Sequence, residues 1–261
     1  MKKILAAILG VSVLTLSSCA SNHDTKVDVA GVKADIPMKS IDPNSNDYAK
    51  IIAIPAIVDQ LLNDKMTPTV GPKDAKKAVV VFYDYGCDNC TLTYGKMVKL
   101  IGDEPNVKFI FKAYPSLHRD ATVPNYASLV ANEAYLQGGA GLFSAYNKIV
   151  YARREANGKL VNADIDAAIK QLGIKANEPK LKKQAAEEEL LTRKVARLIG
   201  FKGPHSYVVL PTDLAKMTAE QLEDNIDQIY VIAFNEPDSA ADYHESVDWA
   251  IQMIKSKLNS I

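Results

Sequence analysis

The sequence predicts an α/β fold in which a run of helices interrupts a sheet. Short runs rich in β-branched and aromatic residues predict strands at residues 78–83, 107–115 and 206–210. The segment between the second and third runs has helical periodicity over most of its length. A cysteine pair, Cys87 and Cys90, lies directly after the first run and before a helix-like segment. A strand, a helix, a strand, several helices and a strand therefore follow one another along the chain.

The composition excludes several classes of protein. The 261 residues carry 31 basic and 31 acidic side chains without a basic block, so the chain lacks the charge that binds nucleic acid through its phosphates. With 48% hydrophobic residues it can form a sizeable core, which excludes disorder of the whole chain. Three cysteines are too few for a scaffold held by disulfides. We therefore expect a globular protein without a nucleic-acid partner.

The N-terminus has the pattern of an export signal. Two lysines precede an apolar run over residues 4–16, which has the length of a signal sequence and is short for a membrane span. The run ends in Leu-Ser-Ser-Cys, which resembles the bacterial lipobox, so residues 1–18 are predicted to be a lipoprotein signal peptide and Cys19 the lipidated residue. Ala20 favours the outer membrane under the usual sorting rule. A plain secretory signal and an N-terminal anchor helix are the alternatives.

A polar segment and then a helical segment follow the signal. Residues 19–46 have no sustained period, so we expect a flexible tether. Residues 47–64 are predicted to be helical, with Pro55 near the start of a second helix. Their apolar residues recur at helical spacing and form one stripe: Ile54, Ile57, Val58, Leu61 and Leu62. The stripe either packs on the chain's own core or forms a dimer.

The cysteine pair has the position of a redox-active dithiol. Residues 91–102 are helix-compatible, so Cys87 is predicted at a helix N-terminus, where unpaired N–H groups and the helix dipole stabilise a thiolate. A two-residue spacer lets Cys90 reach the first sulfur. Half of a structural zinc site is one alternative, but no second CxxC or paired-histidine motif supplies the other ligands. A static disulfide is another, and it would be unusual across so short a loop. We expect no metal and no cofactor.

Four segments together resemble the thioredoxin superfamily, and specifically its DsbA-like periplasmic thiol oxidoreductases. They comprise residues 67–72, 78–90, 107–115 and 127–137, of which the last looks like the first inserted helix of the family. The resemblance covers about residues 65–210 and implies a thioredoxin-like fold with an inserted helical domain.

The implied domain organisation has two halves of a thioredoxin-like domain around the insertion. Residues 65–120 form the first part, residues 121–201 the inserted helical domain, and residues 202–261 the second part with a C-terminal extension. Within the extension we expect a helix over 218–225, a strand over 228–234 and a closing helix over 240–258. Residues 212–227 exceed the short turn of the family and are a candidate for an addition that binds a partner.

The loop before the last family strand departs from the family pattern. The family has a cis-proline there, which packs against the CxxC sulfurs and whose backbone binds substrate peptide. Without a gap His205 takes that position, and with a slip of one residue Pro204 does. The resemblance therefore implies substrate binding by Pro204, His205 and Ser206. His205 would face both cysteines, where it has no special role, tunes the thiol, or completes a Cys-Cys-His metal site.

Three further departures concern the acid–base chemistry of the dithiol. The buried acid that many relatives have on the central strand is replaced by Val81, and the acid often found after a lysine in the next strand is replaced by Ala113. Asp88 inside the CxxC should disfavour a nearby thiolate. Tyr83, Tyr85 and Tyr207 are expected to pack in the core and at its rim. We therefore expect a weaker oxidant than DsbA itself.

Two functions of different class follow from these patterns. The first is a lipid-anchored periplasmic thiol-disulfide oxidoreductase, in which Cys87 and Cys90 act on thiols or disulfides of exported proteins. Its recycling partner is left open, as is assembly into a homodimer or an envelope complex, and its membrane contact is the lipid on Cys19. The second is a non-catalytic DsbA-like lipoprotein that serves as an accessory component of an envelope or secretion assembly. The altered proline loop and the missing acid motivate the second.

Overall fold

A five-stranded mixed sheet forms the centre of the molecule. The computed structural model describes residues 28–29, 32–33, 47–115, 122–176, 178–233 and 240–261. The sheet has the strand order β3-β5-β4-β6-β7, in which β4 and β5 are parallel and all other neighbours antiparallel. Its strands are β3 (Thr69–Val70), β4 (Lys77–Tyr83), β5 (Val107–Ala113), β6 (Ser206–Pro211) and β7 (Tyr230–Ile232). This topology confirms the predicted thioredoxin-like sheet.

The chain before residue 47 is described only at two short strands. These are β1 (Asp28–Val29) and β2 (Val32–Lys33), which pair antiparallel within the segment predicted to be a tether. The predicted signal peptide over residues 1–18 and the predicted lipidation site Cys19 lie outside the described residues.

Eight α-helices surround the sheet in the described part of the chain. They are α1 (Asp47–Ile52), α2 (Pro55–Leu62), α3 (Asp88–Asp103), α4 (Thr122–Asn157), α5 (Asn162–Leu172), α6 (Pro179–Ile199), α7 (Ala219–Asp224) and α8 (Ala240–Leu258). Helices α4, α5 and α6 are inserted between β5 and β6, as predicted for the helical insertion. Helix α4 is interrupted at Gly139, whose φ of 63° is not helical. A search of the described helices finds none whose length and apolar content would let it cross a bilayer.

The central strand β4 is buried on both faces, and alternate side chains enter two cores. Val79 and Val81 lie in a core with residues of α3, α4 and α8. Val80 and Phe82 lie in a second core with residues of α1, α2 and the end of α6. Because helices cover both faces, the strand is continuously apolar instead of alternating, which is the pattern from which it was predicted.

The apolar stripe of the N-terminal helices packs on the chain's own core. Ile57, Val58, Leu61 and Leu62 are each no more than 3% exposed and belong to the second core. Pro55 is the first residue of α2, as the missing N–H of proline allows. The stripe is therefore occupied by the sheet and its neighbours, which favours the first of the two predicted roles over a dimer interface.

The segment over residues 212–227 also packs inward. It consists of a 3₁₀ turn (Thr212–Lys216), α7 and the start of a second 3₁₀ turn (Ile226–Gln228). Leu214 and Leu222 from this segment are fully buried in the second core with α1 and α2. These apolar side chains cover the N-terminal helices of the same chain, and partner binding by the rest of the segment stays a prediction.

Candidate active site

The two cysteines lie at the start of α3, directly after the central strand. Cys87 is the N-cap of the helix, and its Sγ accepts a hydrogen bond of 3.1 Å from the backbone N–H of Cys90. The N–H of Cys87 donates to the carbonyl oxygen of Asp84 at 3.2 Å. Both thiols are free and each residue is only 5% exposed. The predicted position at a helix N-terminus is confirmed.

The environment of Cys90 favours its neutral thiol. Burial raises the pKa of Cys90 well above its usual value, and the hydrogen bond with Cys87 and its charge act in the same direction. A cavity of about 30 Å³ borders this thiol and is lined by apolar side chains together with Tyr94, Asn147 and Tyr151. Cys90 therefore keeps its proton at neutral pH, whereas Cys87 has the helix N-terminus beside it.

The tyrosines around the dithiol form an aromatic core. Tyr85 packs edge-on against Tyr83 with ring centroids 5.4 Å apart, and Tyr94 stacks on Tyr151 at 4.5 Å. Burial raises the pKa of Tyr83, Tyr85 and Tyr151, so these phenols stay neutral. Their burial agrees with the packing role expected for Tyr83 and Tyr85.

Two charged side chains hold the loop that leads into the CxxC. Within the loop, the carboxylate of Asp84 accepts a hydrogen bond of 2.7 Å from the N–H of Gly86. From the inserted domain, the buried guanidinium of Arg154 donates to the carbonyl of Tyr85 at 2.7 Å and to that of Gly86 at 2.8 Å. No sequence pattern identifies Arg154 as part of the site, because it lies far along the chain in α4 and reaches the loop only when the insertion docks.

Arg154 also changes the expected influence of Asp88. Its Nη2 lies 2.7 Å from the Asp88 carboxylate, whose side chain is 80% exposed. The negative charge predicted beside the Cys87 thiolate therefore has a positive partner. Asp88 alone cannot be taken as the reason for a weaker oxidant.

The proline loop contains no cis peptide bond, and none occurs elsewhere in the described residues. The alternative in which Pro204 is a cis-proline is therefore wrong for this structure. The residue with the unusual backbone is His205, whose φ is 66°. Its N–H donates to the carbonyl of Phe82 at 2.8 Å, at the end of β4. Pro204, His205 and Ser206, the predicted substrate-binding residues, are all buried.

The ring of His205 contacts α3 one turn beyond the dithiol. Its Nδ1 lies 3.0 Å from the hydroxyl of Tyr207 and 3.4 Å from that of Thr93. Burial lowers the pKa of His205 to about 4, so the imidazole is neutral at physiological pH and adds no positive charge for a thiolate. Within the described residues, no three side chains of His, Cys, Asp and Glu form a metal-binding group. The Cys-Cys-His alternative is thus not assembled.

The acid missing at Val81 has a counterpart elsewhere in the fold. Asp84 is a carboxylate with 1% exposure, and its charge contributes to the raised pKa of Cys90. No sequence pattern predicts a chemical role for Asp84, although it lies between a buried strand and the CxxC. The loop therefore contributes a buried acidic side chain near the second thiol, although the strand has none at Val81.

The comparisons with known proteins agree with this architecture. A sequence model of a family described as thioredoxin matches residues 63–199. No curated protein has a significantly similar sequence.

Three solved structures illustrate the likeness. The catalytic domain of ScsC from Proteus mirabilis is 21% identical with a TM-score of 0.58, over 81% of this chain and 98% of that one. A periplasmic thioredoxin-like protein from Salmonella enterica serovar Typhimurium is 22% identical with a TM-score of 0.52, over 77% and 95%. The thiol-disulfide exchange protein alpha-DsbA2 from Wolbachia pipientis is 19% identical with a TM-score of 0.50, over 69% and 96%. At these identities the likeness concerns the fold, and it confirms the predicted sheet with its helical insertion.

Proposed function

Because the chain belongs to the thioredoxin family, whose sequence model matches more than half of its residues, we propose that it is a thiol-disulfide oxidoreductase acting through Cys87 and Cys90. The observation that carries this proposal is the position of Cys87 as the N-cap of α3, with the N–H of Cys90 donating to its sulfur. This position stabilises the thiolate of the attacking residue, and the second thiol lies one turn later.

The chemistry is a transfer of two electrons between two pairs of sulfur atoms. In the oxidising direction a substrate thiolate attacks Cys87 of the Cys87–Cys90 disulfide, and Cys90 leaves as a thiolate that takes up a proton. A second substrate thiolate then attacks the substrate sulfur of the mixed disulfide, and Cys87 leaves as a thiolate. The substrate gains a disulfide and the enzyme becomes a dithiol. Reduction of a substrate disulfide runs through the same steps in reverse.

Thiol trapping after equilibration in glutathione buffers tests this function. We expect Cys87 and Cys90 to change together from dithiol to disulfide within the accessible range of glutathione ratios. A Cys90→Ser variant should accumulate mixed disulfides, and a Cys87→Ser variant should not, because only the first contains the attacking sulfur. A pair that stays in one state throughout would contradict the enzyme and favour the accessory role, which the altered loop at His205 also motivates.

The proposed location is the periplasmic side of the envelope, with a lipid on Cys19 and sorting to the outer membrane. It is supported by the signal-like sequence before Cys19, by Ala20 and by a similar Salmonella protein that is described as periplasmic. Labelling of cells with a fatty acid should mark the wild type and not a Cys19→Ala variant. Fractionation should move an Ala20→Asp variant to the inner membrane where the usual sorting rule applies.

The proposed substrates are exported proteins with thiols or disulfides, bound along the loop of Pro204, His205 and Ser206. Proteins trapped on Cys90→Ser in a periplasmic extract should be released by reductant. Because the three side chains are buried, we expect contact with the backbone of this loop. A cross-linker placed at the exposed neighbour Lys202 should therefore capture a trapped peptide, and one at the exposed Lys183 of α6 should not.

A further inference from the structure

One guanidinium from the inserted domain contacts the chain on both sides of Cys87. The Arg154 side chain is 7% exposed. Its Nε donates to the carbonyl of Tyr85, and its Nη2 donates both to the carbonyl of Gly86 and to the carboxylate of Asp88. The two carbonyls precede Cys87 and the carboxylate follows it. Arg154 thereby places a buried positive charge beside the N-cap of α3.

The two charges of the Arg154–Asp88 pair differ in their exposure to solvent. A guanidinium keeps its charge in proteins, and a buried charge is screened less than an exposed one. Asp88 is 80% exposed, so water screens much of its field. Removing Asp88 leaves a buried cation on the two carbonyls that directly precede Cys87, whereas removing Arg154 leaves a solvated anion directly after it. The two removals should therefore act on the Cys87 thiolate in opposite directions.

We propose that the Arg154–Asp88 pair sets the ionisation of the Cys87 thiol, with Arg154 favouring the thiolate and Asp88 attenuating that effect. Arg154 is a positioning residue, because it acts on Cys87 through its charge and takes no part in the exchange of sulfur bonds. A more stable thiolate stabilises the reduced dithiol and makes Cys87 a better leaving group, so the oxidising power follows the pair. The redox part rests on the proposed function, but the ionisation of Cys87 does not.

Other titratable groups face the dithiol, and the experiment leaves them unchanged. They are Asp84 of the loop, Tyr151 of α4, and His205 and Tyr207 beside α3. A change confined to residue 88 or 154 therefore reports on the pair.

The first measurement is the rate of Cys87 alkylation against pH in the fully reduced protein, together with the ultraviolet absorbance of the thiolate. Asp88→Asn should move the pH midpoint down by roughly half a unit or more, and Arg154→Gln should move it up. Arg154→Lys, which keeps the charge, should stay close to the wild type. Asp103→Asn is the matched control, because it removes one exposed carboxylate from the far end of α3, about 22 Å away along the helix.

The outcomes decide between charge and loop geometry. If Arg154→Lys shifts the midpoint as far as Arg154→Gln, the residue acts through its hydrogen bonds and the proposal is wrong. It is also wrong if Asp88→Asn leaves the midpoint unchanged or moves it upward. Asp88→Asn leaves in place the hydrogen bonds that Arg154 donates to the carbonyls of Tyr85 and Gly86. It therefore remains informative if Arg154→Gln fails to fold.

The second measurement is the equilibrium constant with glutathione. Asp88→Asn should shift it about threefold or more toward the reduced protein, which is half a pH unit expressed as a ratio. When Asp88→Asn is added to Arg154→Gln, the shift that it causes in this equilibrium constant should be smaller than the shift in the wild-type background. If the wild-type dithiol does not cycle at all, the proposed function fails while the alkylation midpoints still decide the role of the pair.

Discussion

His205 holds a backbone conformation that residues other than glycine rarely adopt, at the position where the family has a proline. Its φ of 66° lies in the left-handed region, which histidine tolerates better than branched or bulky residues. Two contacts hold it there: its N–H pairs with the carbonyl of Phe82, and its ring with Tyr207. The residue thus has a defined structural role even though its ring carries no charge at neutral pH.

Restoring the family's proline at this position should therefore destabilise the protein. Proline fixes φ near −65° and has no N–H, so His205→Pro opposes the observed backbone and removes the bond to Phe82. We expect a loss of about 3 kcal/mol in the free energy of unfolding, measured with urea. His205→Asn, which tolerates the left-handed region, should lose about 1 kcal/mol. Equal stability of the proline variant and the wild type would refute the assigned backbone.

The buried imidazole of His205 should also make the free energy of unfolding depend on pH in a defined direction. Its pKa is about 4 in the folded protein and about 6.5 when unfolded, so between these values the unfolded chain binds more protons. Stability from this group is complete above pH 6.5 and is lost as pH falls toward 4, by about 3 kcal/mol in total. His205→Asn should abolish this part of the dependence. Urea unfolding of both proteins from pH 7.5 to 4 measures it, and parallel curves would show that the imidazole is not buried as described.

At the scale of elements, the approach of two strands depends on one glycine. Gly71 follows β3 with a φ of 107°, and a Cβ there would lie 2.3 Å from the carbonyl oxygen of Val107 in β5. Gly71→Ala should cost roughly 2 kcal/mol or more, because both the backbone angle and the contact oppose it. Gly95→Ala is the matched control: apart from its chain neighbours and the adjacent backbone of α3, no atom lies within 4 Å of its Cβ position, so it should stabilise the helix by about 0.5–1 kcal/mol. Thermal unfolding of both variants checks the opposite signs.

The elements differ in how well the sequence predicts them, for local reasons. The predicted range of α8 agrees with the structure, since the periodicity of this helix is uninterrupted. For α4 only residues 127–137 were predicted, because the glycines at 138, 139 and 141 break the pattern that continues to Asn157. The missing part contains Arg154. The contact of Arg154 with the loop before Cys87 was therefore not predicted. The glycines interrupt the periodicity of its helix, and sequence spacing does not encode how the insertion docks.

The position of the cysteine pair, in contrast, was predicted from the sequence. Its place after a buried strand and before a helix fixes Cys87 as the N-cap, because backbone geometry alone determines that position. The contacts of His205 with Tyr207 and Thr93 depend on the register between β4 and β6, which sequence spacing does not encode. Local placement was predictable and tertiary contact was not.

At the scale of the whole molecule, a buried ionic cluster joins three distant segments. The Nζ of Lys112 in β5 donates to Thr67 at 2.8 Å and lies 3.6 Å from Asp64 and 3.8 Å from Glu188 of α6. Thr67 and Asp64 belong to the loop between α2 and β3. Glu188 also accepts from Asn132 of α4 at 2.7 Å. The cluster therefore ties the inserted domain to the sheet and to the N-terminal helices.

Removing the cation of this cluster should lower the free energy of unfolding more than the loss of an exposed ion pair does. Lys112→Met leaves Asp64 and Glu188 buried without their shared partner, and we expect a loss of about 3–5 kcal/mol in the free energy of unfolding. Lys183→Met is the control, because it breaks an exposed pair with Glu187 that contributes about 0.5 kcal/mol or less.

The same variant should change how stability depends on pH. Burial already raises the pKa of Glu188, and the charge of Lys112 opposes that shift, so Lys112→Met should raise this pKa further. A carboxyl with a raised folded pKa contributes stability below its unfolded pKa and loses it as pH rises through the folded value. The deficit of Lys112→Met should therefore be smallest near pH 4.5 and grow toward pH 8. Urea unfolding across this range measures it, with Lys183→Met beside it, and a deficit independent of pH would mean that Lys112 acts by packing and not by charge.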